Sequence, residues 1–165
     1  MNQKGTLTFF CGKMGAGKST ISKTEAAEKN AIRISEDEWL AAHYPGLINS
    51  FNDYLKFSSL IKPFVKAHAQ QVLNLGINVV MDFPANTVSQ RKWFQQLCSE
   101  VGSDHELYYL DLSDEQCLAQ ISKRRIEQPE RAQFDNEAVF KQVTKFFEAP
   151  TRQEGLNIVS ITRNK

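Results

Sequence analysis

Leu7-Thr8-Phe9-Phe10-Cys11-Gly12-Lys13-Met14-Gly15-Ala16-Gly17-Lys18-Ser19-Thr20 is the stretch on which the reading of this chain turns. The apolar run from Thr6 to Cys11 predicts a short buried strand ended by Gly12. Gly12 and Gly17-Lys18-Ser19 then stand in the spacing G-x-x-x-x-G-K-S, with Gly15 an extra glycine inside. Glycines open backbone angles closed to other residues and let the main chain approach a polyphosphate without a Cβ in the way. Successive N–H groups can then point inward at phosphate oxygens, reinforced by the N-terminus of the helix that follows. Lys18 is expected on the β- and γ-phosphates of ATP, and the Ser19 hydroxyl on Mg²⁺. At ordinary glycine usage the pattern arises by accident in on the order of one chain in a few hundred of this length. A strand before it and a helix after it make a chance glycine-rich turn the weaker reading. The chain reads as nucleotide-binding, with Gly12, Lys13, Met14, Gly15, Ala16, Gly17, Lys18, Ser19 and Thr20 as the cradle.

Working outward, strand and helix alternate. After a helix from Gly17 with Ile21, Thr24 and Ala27 on one face, residues 31–34 predict a second strand. Ser35-Glu36-Asp37-Glu38 fits a capping box opening a helix. Residues 51–75 place Phe57, Ile61, Phe64, His68 and Val72 at helical spacing, and Pro63 predicts a kink or two abutting helices. Strands follow at 77–83, 105–112 and 156–161. Capping boxes at Thr87–Gln90 and Ser113–Gln116 open further helices, and Asp135 is expected to cap one through Val139, Val143, Phe146 and Phe147. Alternation with short connections predicts one α/β domain over residues 1–165: a parallel sheet, helices on both faces, and its ligand at the carboxyl ends of the strands.

Composition narrows the partners. The 165 residues carry a formal net charge of +1, which creates no field to gather nucleic acid or a membrane over the whole surface. Cys11, Cys98 and Cys117 are scattered and odd in number, which favours a reducing compartment over a disulfide framework. Cys11 and Cys117 lie on apolar stripes and read as buried small hydrophobes. The N-terminal residues lack the apolar run of a signal peptide, no stretch is long enough to cross a bilayer, and a cytoplasmic location is expected. His43, His68 and His105 lack metal-ligand spacing, so no protein-bound zinc is expected.

Around the phosphate loop stand residues with two open readings each. Asp82 ends the run Val79-Val80-Met81 and either lies near a loop-bound Mg²⁺ or forms a turn before Pro84. Asp37, in the first turn after the second strand, either complements the helix dipole or acts as general base on an acceptor hydroxyl. Glu36 and Glu38 compete with it, but the capping box claims Glu38. Arg124, Arg125 and Arg131 flank a break at Pro129, as in a lid over about 123–135 that closes cations on a triphosphate; the alternative is a solvated helix end. Arg91, one turn into the helix after Asp82, either reaches a substrate phosphate or pairs with a surface acid. Trp39, Phe51, Tyr54, Phe57 and His68 belong to acceptor-side helices, where such a stripe is more often core than pocket.

As an ordered set, these residues resemble the small P-loop kinases of the polynucleotide-kinase and zeta-toxin type, often labelled AAA-family ATPases. The correspondence runs through Gly12 to Thr20, Ser35-Glu36-Asp37, Asp82 with Arg91, Arg124 to Arg131, and the tail from Phe147 to Leu156. The resemblance implies a three-layer P-loop fold with five parallel strands in the order 2-3-1-4-5 and a helical lid. It also implies ATP with Mg²⁺ as donor, Asp37 as base and lid arginines as charge stabilisers. Two departures, Leu40 where polynucleotide kinases often carry an arginine and Phe83-Pro84-Ala85-Asn86 after Asp82, favour a small-molecule acceptor over a polynucleotide. No obligate protein partner is evident. The rival outside the enzymes is a nucleotide-gated binding module.

Overall fold

The computed structural model describes residues 3–129, 132 and 134–162. Its centre is β1 (Leu7–Cys11), buried at all five positions because sheet and helices enclose it on both faces. Leu7, Phe9 and Cys11 point into one apolar layer, while Phe10 points into the other, as the two-residue period of a strand requires. On one side β1 pairs in parallel with β3 (Val79–Pro84), which pairs with β2 (Ile32–Ser35). On the other it pairs in parallel with β4 (His105–Leu110), and β4 with β5 (Ile158–Ile161). The order is therefore β2-β3-β1-β4-β5, as expected.

Among the described residues six α-helices cover this sheet: α1 (Lys18–Glu28), α2 (Glu36–His43), α3 (Phe51–Asn74), α4 (Val88–Val101), α5 (Asp114–Glu127) and α6 (Glu137–Thr144). Leu40 of α2, Ile61, Val65 and Leu73 of α3, and Phe94 and Leu97 of α4 fill the layer under Phe9, where the Phe9 and Phe94 rings stack at 4.5 Å. Cys117 and Ile121 of α5 and Phe140 of α6 fill the opposite layer under Phe10. No helix of the described residues is long and apolar enough to cross a membrane.

Several local expectations need correction. The buried stripe of α3 is Ser58, Ile61, Val65, Ala69 and Val72, whereas Phe64 is 76% exposed and His68 is also at the surface. α3 also runs as one helix through Pro63; the Ser59 carbonyl that would have accepted its missing N–H belongs to an exposed residue, within reach of water. In α1 the buried residue is Ser22, whose hydroxyl accepts from Arg33 Nε at 2.9 Å, while Thr24 and Ala27 face outward. Asn136, not Asp135, caps α6, which stops before Phe146. Of the three expected boxes, Ser113–Gln116 alone closes on both sides. The Glu38 carboxylate turns to Arg33 instead, and the Gln90 side-chain oxygen accepts from the Asn86 backbone amide.

Candidate active site

The loop between β1 and α1 lies at the carboxyl end of the central strand. Gly15 and Gly17 take φ of +82° and +98°, the left-handed region that glycine enters without strain. Gly15 is also held by close approach, since a Cβ there would sit 2.7 Å from the Cys117 carbonyl on α5. Gly17 caps α1 with no side-chain hydrogen bond, whereas Ser35, Ser50, Thr87, Ser113 and Asn136 each cap their helices with a side chain. The first-turn amides of α1 thus lack the acceptor that every other described helix supplies, and they carry the positive end of its dipole.

Lys18 folds over this loop, and its ammonium donates to the Gly12 carbonyl. Burial pulls its pKa down, against the pull of the Asp82 and Asp37 carboxylates. Lys13 turns away: its ammonium meets Asp114 at 2.7 Å and lies over the Phe147 ring, so only its backbone serves the loop. Burial pushes the Cys11 thiol up to about 11, which keeps it protonated and inert at neutral pH.

Asp82 is brought to the same crevice by an irregularity in β3. Pairing with β1 jumps from Phe9–Met81 to Phe10–Pro84, so Asp82 leaves that ladder and stands opposite Ser35 of β2. Its Oδ2 accepts from Arg33 Nη2 at 3.1 Å. Burial raises its pKa, Arg33 opposes this, and the Asp37 carboxylate adds to the rise. Asp37 itself is exposed in the first turn of α2 and makes no hydrogen bond or ion pair among the described residues. Ser19 is exposed one residue beyond Lys18. Lys18, Asp82 and Asp37 therefore lie close enough to feel one another's charge, and Ser19 follows Lys18 in the first turn of α1.

The arginines are sorted differently. Arg91 is fully buried and forks onto Glu154, Nε to Oε1 at 2.8 Å and Nη2 to Oε2 at 3.2 Å, with Nη1 donating to the Ala85 carbonyl at 3.0 Å. It is a core brace, neither a substrate ligand nor a partner of a surface acid, because every polar nitrogen is already spent inside the fold. The signal was its place on the stripe Arg91, Phe94, Leu97, Cys98 that α4 buries. Arg124 forks onto the buried Asp135 at 2.8 and 2.6 Å, fastening the end of α5 to the segment before α6. Arg125 is exposed, and Arg131 lies outside the described residues.

Two residues of the site escaped sequence reasoning. Arg33 was hidden in the apolar strand Ile32-Arg33-Ile34, where a cation among branched side chains was the available sign. Asn86 holds the loop entrance: its Oδ1 accepts from the Gly12 amide at 2.9 Å, and its carbonyl accepts from the Glu148 amide at 2.8 Å. Nothing local in the sequence joins positions 12, 86 and 148.

A family model described as an AAA domain matches residues 7–150. The chain belongs to this AAA-domain family. The matched span runs from β1 past α6, taking in the phosphate loop, Asp37, Asp82 and the arginine segment. No curated protein matches it. Among solved structures, a candidate kinase from Chloroflexus aurantiacus j-10-fl superposes with a TM-score of 0.73 at 19% identity, over 97% of this chain and 86% of that one. The Mycobacterium tuberculosis APS kinase CysC, solved with AMPPNP and APS, gives 0.65 at 17% identity over 98% and 90%. A chain of the Pnkp1/Rnl/Hen1 RNA repair complex gives 0.64 at 19% identity over 90% of this chain, which spans 48% of that one. At these identities the likeness is one of fold. This member of the AAA-domain family is a small protein of P-loop kinase-like architecture.

Proposed function

We propose that this chain is an ATP-dependent phosphotransferase that moves the γ-phosphate of ATP to a hydroxyl of a small molecule. The observation that carries the reading is the exposed Asp37 carboxylate, without a hydrogen bond or ion pair among the described residues, set near Lys18 and Asp82 beside a helix start with no side-chain cap. A binding module needs the uncapped helix and the lysine but has no use for a base. Asp37 would take the acceptor's proton as its oxygen bonds to the γ-phosphorus and the bond to the β-phosphate oxygen breaks, releasing ADP. Lys18 would swing from the Gly12 carbonyl onto the β- and γ-phosphates, replacing one acceptor by a better charged one.

The donor set suits Mg²⁺. Asp82 Oδ1 and the Ser19 hydroxyl are oxygen donors without a hydrogen bond among the described residues, and Mg²⁺ takes one or two such ligands, keeping water and phosphate for the rest. Bound there, the ion would neutralise charge on the phosphate oxygens. Exposed Arg125 is the described lid arginine with side-chain nitrogens unspent, and Arg131 remains a second candidate from its sequence position. Kinases among the structural neighbours support the reaction class.

The test is Asp37→Asn with γ-labelled ATP and a metabolite extract. Turnover should fall by about 10²–10⁴ while ATP affinity stays within about twofold, as loss of a general base requires. Unchanged transfer in the variant would refute Asp37 as the base, whereas ATP binding with no transfer even in the unaltered chain would leave the binding module standing.

A further inference from the structure

Asp37 stands at one end of an open groove lined by Leu40, Ala41, Tyr44, Pro45, Gly46 and Ile48. Resting on the phosphotransferase reading, we infer that this groove is the acceptor site and that its occupant is an uncharged hydroxyl compound with an apolar body. Among the described residues Asp37 is the one charged group in the lining, and the other side chains there are aliphatic or aromatic. A phosphorylated acceptor placed there would bring its anion beside the Asp37 carboxylate with no cation to neutralise it. The described cations nearby are engaged elsewhere, Lys18 on the phosphate loop, Arg33 on Asp82 and Glu38, and Lys62 over the Trp93 ring on the Glu36 side.

The walls are built to keep a shape. Leu40 is buried in the core, so the floor cannot withdraw. Tyr44 rests on Phe57 with ring centroids 4.4 Å apart, and its phenol makes no hydrogen bond among the described residues, leaving one polar handle. Gly46 turns the chain at φ +74°, and Asn49 fastens that turn, its Nδ2 donating to the Gly46 carbonyl at 3.2 Å and its amide to Asp53 at 3.1 Å. The groove is about 290 Å³, at the lower edge of small-ligand sites, which suits a compact alcohol and not a polymer. Its hydroxyl would face Asp37 while its apolar body lies along Ala41 and Ile48.

The probes are 2-phenylethanol and its phosphate ester, titrated into the full chain while the Ala41 methyl and Tyr44 ring signals are followed by NMR. The alcohol should shift both signals and bind about tenfold more tightly than the ester, the factor expected of one unscreened like charge in a half-wet groove. Ala41→Arg, a surface change on α2, should reverse that order. Equal or tighter binding of the ester to the unaltered chain, or no shift with either probe, would overturn the inference. Calorimetry with Mg-ATP on the same samples separates the two readings. ATP binding without the alcohol preference sinks only the groove, whereas the preference without ATP binding sinks the phosphotransferase.

Discussion

Glu154→Gln should be among the most damaging single changes available outside the phosphate loop. The Arg91 guanidinium is 0% exposed, and the Glu154 side chain that neutralises it is 9% exposed. The amide keeps one acceptor oxygen but removes the charge, leaving a buried cation uncompensated. Breaking a buried pair in this way costs about 3–5 kcal/mol. For a domain of this size each 1 kcal/mol moves the melting point by about 2–4 °C, so a fall of roughly 6–20 °C is expected. Urea and thermal unfolding followed by circular dichroism would measure it. The pH dependence has a definite sign. Burial pushes Glu154 up, but the bonds from Arg91 and the Thr151 amide prevail and hold it below the ordinary 4.5. Its stabilisation is therefore full above that value and is lost as pH falls through the lower folded one. The gap between wild type and variant should narrow in acid. Arg91→Met with Glu154→Leu, losing both charges together, should cost less than the two single changes summed. A loss under about 1 kcal/mol for Glu154→Gln would refute the core-brace assignment. So would Arg91→Lys leaving the melting point unchanged while raising the acceptor KM, since that is how a substrate ligand behaves.

Asn86→Ala strips the buried Gly12 amide of its acceptor, so a stability loss of about 1–3 kcal/mol and roughly tenfold weaker ATP binding by calorimetry are expected; unaltered affinity would detach Asn86 from the loop. Burial raises the Glu36 pKa against the bonds from Tyr54 and Ser58. Wild type should therefore lose stability as pH climbs from about 4.5 through the folded value, and Glu36→Gln should not. Unfolding of both proteins at several pH values checks that the variant gains on wild type over this rise, and a constant difference would contradict it. Arg125→Ala should lower turnover by about 10³ or more at unchanged ATP affinity, as loss of a phosphoryl-directed arginine does. Asp135→Asn should instead act on the melting point, because it breaks the Arg124 fork; the opposite pattern would exchange the two assignments.

How much was legible follows from what each signal depends on. The Gly12–Thr20 loop, the parallel sheet and the positions of Asp82 on β3 and Asp37 in the first turn of α2 were readable because each rests on local rules. Glycine angles, strand period and the direction of a βα unit are written in adjacent residues. The α3 stripe was misread at Phe64 and His68, which share a helical period with Phe57, Ile61 and Val72. Which of two neighbouring faces turns inward is decided by the sheet beneath, not by the helix.

The arginines mark the same boundary more sharply. From the chain alone, Arg91, Arg124, Arg125 and Arg131 are cations near a phosphate site, and their charge says nothing of where they end. Glu154 lies 63 positions from Arg91, and Asp135 lies 11 from Arg124 across a turn, so their pairing exists only once the chain has closed on itself. The primary sequence determined a glycine-rich turn between a buried strand and a helix, and the strand–helix alternation of a parallel sheet, because short-range geometry suffices for both; the order of the strands came from the family resemblance. Tertiary packing decided which charged groups are spent as braces and which stay free at the crevice, because a guanidinium taken out of water must find its carboxylate inside the fold.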